Sequence, residues 1–282
     1  MDPFHPARRP LAWLPSLLLA SVILAMLAHG PISQWPDYHR FADVSRFLGM
    51  PHAADVLSNA GFALIALWGW RRLSPRRREA ELAPAWPGYR LFLAALLLTA
   101  CGSAFYHLAP DNSRLVWDRL PIALACAGLL AAVRAECVPG ADAGRDCLWL
   151  SLAAAASVGW WQVTEGFGAG DLRPYLLLQA APMLLISLWQ GIYRAPRGDR
   201  WLAGAALLLY ALAKLTEMHD HELLQATGMV SGHTLKHLFA SAAAAVLVYR
   251  PLRGLSRTAA ESTLPCSGRA DAAHNDGVKT LL

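Results

Sequence analysis

Charge is scarce in this chain. Asp, Glu, Lys and Arg make up 16% of its 282 residues, where a soluble domain carries roughly a quarter. Amphipathic patterning is also missing, because Leu and Ala run in long blocks rather than in stripes along one helix face. With 55% hydrophobic residues and a mean hydropathy of +0.32, the composition excludes an ordinary soluble domain and indicates a polytopic helical membrane protein. CxxC pairs of the metal-binding type are absent too. The five cysteines, Cys101, Cys126, Cys137, Cys147 and Cys266, are odd in number and mostly sit in or beside apolar segments. Cysteine in that setting acts as a small hydrophobe, which excludes a disulfide framework and a thiolate site. The net charge of +5 and pI near 9.1 come from basic residues scattered through short loops. That distribution fits the positive-inside rule and gives no surface for nucleic acid.

What the chain has instead is a series of eight apolar segments, at about 11–29, 53–71, 89–107, 117–134, 147–164, 175–193, 201–218 and 233–250, each near the ~20 residues a helix needs to span a bilayer. The first follows Arg8 and Arg9 and resembles a signal peptide. Its length, and the lack of a small-x-small cleavage site before polar sequence, make it a retained helix. Arg8–Arg9, the block RRLSPRRR (71–78), Arg134 with Arg145, Arg194 with Arg197 and Arg200, and Arg250 with Arg253 and Arg257 fall on alternate sides of these spans. That side is expected to be cytoplasmic, with both termini. The opposite loops carry Asp37, Asp43, Asp111, Glu165, Asp171, Asp220 and Glu222. Residues 254–282 are polar and non-periodic, which predicts a disordered cytoplasmic tail.

Following the spans brings three polar clusters to one membrane surface. The third span runs outward through Ser103 to His107, the fourth starts with Trp117–Asp118, and the eighth starts with VSGHTLKHL. His233 and His237 are four apart on one helix face, the spacing by which zinc peptidases place two imidazoles on one metal. His107, at the same depth on another helix, supplies a third ligand and leaves a tetrahedral zinc with an open position. Zinc in such a site activates water at neutral pH. HTLKH lacks the Glu that follows the first His in those peptidases, so the base must come from elsewhere, and Asp118 is the expected carboxylate. Ser103, four residues before His107 on the same face, is placed to donate to a developing oxyanion or to the zinc-bound water. Singly, each has a plainer reading: an interfacial His, an acid favoured at a helix N-terminus, a small residue at a helix contact. Together, at membrane depth, where ionisable groups are costly, they predict a site.

The pattern Ser103-x-x-x-His107, then Trp117–Asp118, then His233-x-x-x-His237 resembles the alkaline ceramidase family, part of a superfamily of seven-helix membrane hydrolases that includes the adiponectin receptors and haemolysin-III-like proteins. DVLSNAGF (55–62) is similar to its first core helix, and GSAFYHLAPDNSRLVWDRLP and VSGHTLKHL look like its bacterial branch. The resemblance spans about residues 38–250. It implies an all-α, seven-helix ceramidase-like bundle over 38–253, preceded by an extra transmembrane helix and outer loop over 1–37, and an integral protein of a bacterial inner membrane. It further implies a zinc amidase active toward the extracytoplasmic face, with His107, His233 and His237 on the metal, Asp118 orienting and deprotonating water, and Ser103 assisting the oxyanion. The substrate implied is a membrane lipid, ceramide or another N-acyl lipid, cleaved to a fatty acid and an amine base in sphingolipid or related lipid metabolism. No protein partner is identifiable.

One departure concerns calcium. The family's eukaryotic members carry an acidic, Asn-containing calcium motif before the first core helix, where this chain has PDYHRFADVSRFLGMPH. Asp37, Asp43 and Asp55 offer oxygens without reproducing that motif, which argues against calcium regulation. Asn59 is expected to pack or hydrogen-bond between helices. Lys214 and Glu217 are expected to pair, His219 and His221 to be solvated, Glu165 and Asp171 to flank a hydrated loop, and Trp35, Trp86, Trp117 and Trp201 to form an aromatic belt. Two other classes stay open: a receptor-like or signalling membrane protein with zinc as a structural staple, and a haem- or ion-handling protein using the same histidines.

Overall fold

In a computed structural model the described residues are 11–263, with the backbone alone for 257–263. The expected Arg8–Arg9 flank and Cys266 lie outside them. The order is α1 (Leu14–His29), a two-stranded antiparallel hairpin β1 (Arg46–Phe47) and β2 (Met50–Pro51), α2 (Ala53–Ser58), α3 (Ala60–Leu73), α4 (Trp86–Leu108), α5 (Asn112–Cys137), α6 (Ala143–Gly166), α7 (Arg173–Ile192), α8 (Arg197–Met218), α9 (Asp220–Thr227) and α10 (Gly232–Thr263). The hairpin is an exception to the all-α expectation. Leu48 and Gly49 at its turn both have positive φ, +50° and +83°, the geometry that a tight two-residue hairpin requires.

Five helices, α4, α5, α7, α8 and α10, are long and apolar enough to cross a membrane, so the coarse expectation of a multi-pass helical membrane protein holds. The count of eight does not follow from length and composition. The first expected span gives a helix of only 16 residues. The second is divided at Asn59, whose side-chain amide donates to the Asp55 carbonyl at 2.8 Å. An Asn amide engaged with its own backbone competes with the helical ladder, and Phe62 N then bonds to Asn59 O, three residues back. Asn59 is fully buried, so it packs as expected, while its hydrogen bond goes to its own backbone and not to a facing helix. The fifth is helical for 24 residues, but its second half, SVGWWQVTEG, mixes polar residues into the run. At the other end α10 continues to Thr263, past residue 254, where the tail was expected to begin. The rest of that tail, 264–282, lies outside the described residues.

Glycine sets the closest helix contact. A Cβ at Gly88 would meet the backbone of Ala132 and Gly128, and one at Gly102 would overlap the Trp117 carbonyl. Without a hydrophobic drive between helices in lipid, such small-residue contacts hold helices together through close backbone approach. The hairpin α4–α5 is therefore tight at its loop end, which Asp111 caps by accepting the Arg114 amide at 2.8 Å. One buried apolar cluster lies among α3, α4, α5 and α10, including Phe62, Phe92, Leu129 and Val248. A second lies among α5, α6 and α7 around Leu115, Trp161 and Trp189. At the end away from the α4–α5 loop, Arg250 of α10 donates to the Tyr89 hydroxyl of α4 at 2.5 Å and pairs with Glu136 of α5.

Candidate metal centre

The tight α4–α5 contact fixes the first half of the site. Because Gly102 rests on the Trp117 carbonyl, the residues that follow each of them, Ser103 and Asp118, come side by side in the wall of one cavity. His107 follows one turn after Ser103, in the last turn of α4. The second half comes from the start of α10. Gly232 there presses on the Thr216 carbonyl and the Asp220 backbone. Ser231 Oγ accepts the Thr234 amide at 3.0 Å, an N-cap interaction. The Asp220 carboxylate accepts the His233 amide at 2.7 Å and the Ala42 amide at 2.8 Å. Capping from two sides sets where the first turn of α10 lies, and with it His233 and His237.

The three histidines converge as their spacing predicts. His107, His233 and His237 are buried, and each offers a ring nitrogen within 4.8 Å of the other two. The rings are 4.7, 5.1 and 4.8 Å apart by centroid, and the Nε2 atoms of His107 and His233 are 3.1 Å apart. A tetrahedral zinc with nitrogen ligands at about 2.0–2.1 Å holds those nitrogens roughly 3.3 Å from one another. The donor set and its spacing therefore fit a metal ion. Ser58 adds a tautomer argument. Its hydroxyl donates to the Asp55 carbonyl at 3.0 Å and lies 2.8 Å from His237 Nδ1. With the one Ser58 proton on that carbonyl, Nδ1 donates to the Ser58 oxygen, and the Nε2 lone pair of His237 is left free for a metal. Partners of this kind orient metal-binding imidazoles.

An apolar cavity of about 300 Å³ opens beside this cluster, with Ser103, Asp118, Lys236 and His237 in its wall and Phe92, Leu129, Ile186 and Leu247 further in. Phe41 covers the histidines from the N-terminal segment, its ring 4.6 Å from His107 and 4.4 Å from His233.

Several residues here went unrecognised in the sequence. Lys236, inside HTLKH, reaches His233 Nε2 at 3.2 Å and pairs with Glu217 at 2.7 Å. Lys214 and Glu217 do pair, at 2.5 Å, and through Lys236 the pair reaches the cluster. A charge inside an apolar run was the available signal for Lys236. Ser58, Phe41 and Asp220 reach the site from distant elements and left no local signal. His219 and His221 are exposed, as expected.

The acids of the outer loops divide. Asp37 is solvated and pairs with Arg40 at 3.2 Å. Asp43 is buried and accepts the amides of Ser45 and Asp55 at 2.8 and 2.9 Å. Burial opposes its ionisation, but these hydrogen bonds and nearby His52 outweigh burial and hold its carboxyl below the usual range. Asp55 is fully buried and accepts from Thr234 Oγ1 at 2.6 Å and Ser231 Oγ at 3.2 Å. Asp171 was read as flanking a hydrated loop; it is buried instead, pairing with Arg173 at 2.8 Å and accepting Trp160 Nε1 at 3.0 Å. The chain's need to satisfy the turn into α7 explains the burial. Glu165 accepts the Asn112 amide at 3.1 Å.

No family model matches the chain, and neither does any curated protein or solved structure.

Proposed function

We propose that this chain is a zinc-dependent intramembrane amidohydrolase of the alkaline ceramidase type, which cleaves the fatty amide bond of ceramide or a related N-acyl lipid. The observation that carries the reading is the juxtaposition of three buried, converging histidines with a Ser–Asp pair in the wall of an apolar cavity. A structural metal site is closed by its ligands, whereas a catalytic one keeps an open position. Here one of the three ligands, His237, lines a cavity, and the Asp118 carboxylate stands in the same wall. The same reading takes the chain as eight spans in a bacterial inner membrane: a seven-helix unit over 38–253 preceded by one extra helix, both termini cytoplasmic and the site toward the extracytoplasmic face.

His107, His233 and His237 would hold the zinc, which would supply Lewis acidity and a water of lowered pKa. The chain's own groups do the rest. The apolar cavity takes the acyl chain and brings the amide carbonyl to the histidine end. An Asp118 carboxylate oxygen accepts the proton lost by the attacking water and returns it to the departing nitrogen. The Ser103 hydroxyl, donating at the same point, stabilises the carbonyl oxygen as charge develops on it. One water is added across the C–N bond, giving a fatty acid and an amine. Phe41 and the Lys236–Glu217 pair limit the entry of bulk water.

Replacement of Asp118 by Asn tests this reading against a zinc staple. The variant retains zinc and loses acyl release by about 10²–10⁴-fold, measured by metal analysis and fatty-acid product assay on purified protein. A staple shows no release in the parent protein. If His233→Ala kept both zinc and activity, the assignment would be wrong.

A further inference from the structure

Arg119 follows Asp118 in α5 and lines the same cavity. It is 3% exposed, and only its Nη2 has a hydrogen-bond partner, the neutral side chain of Gln34, whose Oε1 accepts at 2.7 Å. Nε and Nη1 are buried without partners. Among the described residues no carboxylate forms an ion pair with the guanidinium. Three aromatic rings hold it instead: its Cζ is 4.0 Å from the Trp161 centroid, 5.1 Å from that of Tyr38 and 5.4 Å from that of Tyr175. Aromatic faces stabilise a cation but accept none of its N–H donors in the guanidinium plane. A buried charge without a counter-ion is costly, and the chain spends a fixed arginine where a hydrophobic residue would pack.

Each fork of a guanidinium pairs Nη2 with either Nε or Nη1, and Gln34 takes only one of the two Nη2 hydrogens. One fork therefore keeps both of its N–H groups open, the arrangement that binds a carboxylate or phosphate through two parallel hydrogen bonds. The depth of the cavity agrees. Leu129, in the cavity's inner wall, lies about 15 Å further along α5 than Arg119 at 1.5 Å per residue. A lipid with its chain among Phe92, Leu129 and Ile186 and its amide at Asp118 brings its headgroup to the Arg119 end. We infer that Arg119 is an oxyanion-binding residue that selects N-acyl lipids with an acidic headgroup, a carboxylate or phosphate near the amide, over neutral ones such as ceramide. The inference rests on the hydrolase reading for the reaction, though not for the binding.

The test uses the full-length, zinc-loaded protein in detergent with N-oleoylglycine, its methyl ester, phosphorylated N-oleoylethanolamine and ceramide. Equilibrium binding and fatty-acid release are both measured. The wild-type protein is expected to bind and cleave at least one acidic lipid with a KM more than about tenfold below that for the neutral ester. Arg119→Gln removes that preference by raising KM for the acidic lipid, and leaves kcat and the ester unchanged within roughly threefold. Arg119→Lys, which keeps the charge and loses the fork, restores part of it. The better of the two acidic lipids identifies the oxyanion. Equal handling of acid and ester by the wild-type protein overturns the inference while leaving the hydrolase intact, and needs no variant to fold. Tighter binding of an acid, abolished in Arg119→Gln but without acyl release from any lipid, sustains the anion site and sinks the hydrolase. Neither binding preference nor release overturns both.

Discussion

His237 shows how much one side chain depends on its neighbour. Its Nδ1 faces Ser58, and the Ser58 proton is committed to the Asp55 carbonyl. The imidazole is thereby held in one tautomer with Nε2 free. Loss of such an outer partner lowers metal affinity by about 10–100-fold. Ser58→Ala is therefore expected to weaken zinc binding by that factor, read by competition with a chelator, while the folded protein keeps its helical content. Unchanged affinity would show that Ser58 does not set the tautomer. The histidines themselves were legible because a spacing of four is a property of any helix, and Ser103 and Asp118 were legible because they are ionisable or polar in apolar surroundings. Ser58 was not, since a serine in DVLSNAGF has no local feature that says which distant ring it meets. Lys236 and Arg119 carried a signal of the same kind as Asp118, charge inside an apolar run, yet which cation meets which partner depends on contacts between α5, α8 and α10 and is absent from local sequence.

Glycines decide the geometry at the level of the helix pair. Ser103 and Asp118 come side by side because Gly102 lets α4 lie against the Trp117 carbonyl. Gly102→Val would push the two helices apart at that point, and overpacking of this kind costs about 1–3 kcal/mol. The expected outcome is a lower unfolding midpoint with most of the acyl release lost, because Ser103 and Asp118 separate while the histidines of α10 stay in place. A variant with wild-type stability and turnover would show that close approach is not required. The helices were legible as apolar blocks, and each expected segment is helical. Their ends and breaks were less so. The break at Asn59 comes from a side-chain amide bonding its own backbone, and the extension of α10 to Thr263 runs through polar residues whose composition suggested a tail. Asp171 in the turn before α7 and Asp220 at the start of α9 are buried, because each acid satisfies backbone amides that would otherwise be left open in an apolar setting.

Across the whole molecule, the ends of the bundle differ. One end gathers the histidines, Asp118, Arg119 and the N-terminal segment that covers them. The other is held by Arg250, Glu136 and Tyr89, close to the arginine-rich loops. In the proposed topology that second end faces the cytoplasm. In a cysteine-free background, Ala169→Cys in the α6–α7 loop is expected to react with a membrane-impermeant maleimide applied to intact cells, and Pro139→Cys in the α5–α6 loop only after permeabilisation. The reverse pattern would invert the chain and place the site inside. Overall class was legible from composition, since a chain so poor in charge has few soluble solutions. The reaction rests instead on a handful of polar residues brought together from α4, α5 and α10.

The central claim is that these residues hold a metal for hydrolysis, and metal content measured beside acyl release in the same preparations tests it most directly. The wild-type protein is expected to hold one zinc per chain and to release fatty acid from an N-acyl lipid; Asp118→Asn keeps the zinc and loses the release, and His233→Ala loses both. Zinc-free protein that still releases fatty acid, or zinc-loaded wild-type protein that releases none from neutral and acidic amide lipids alike, would contradict it.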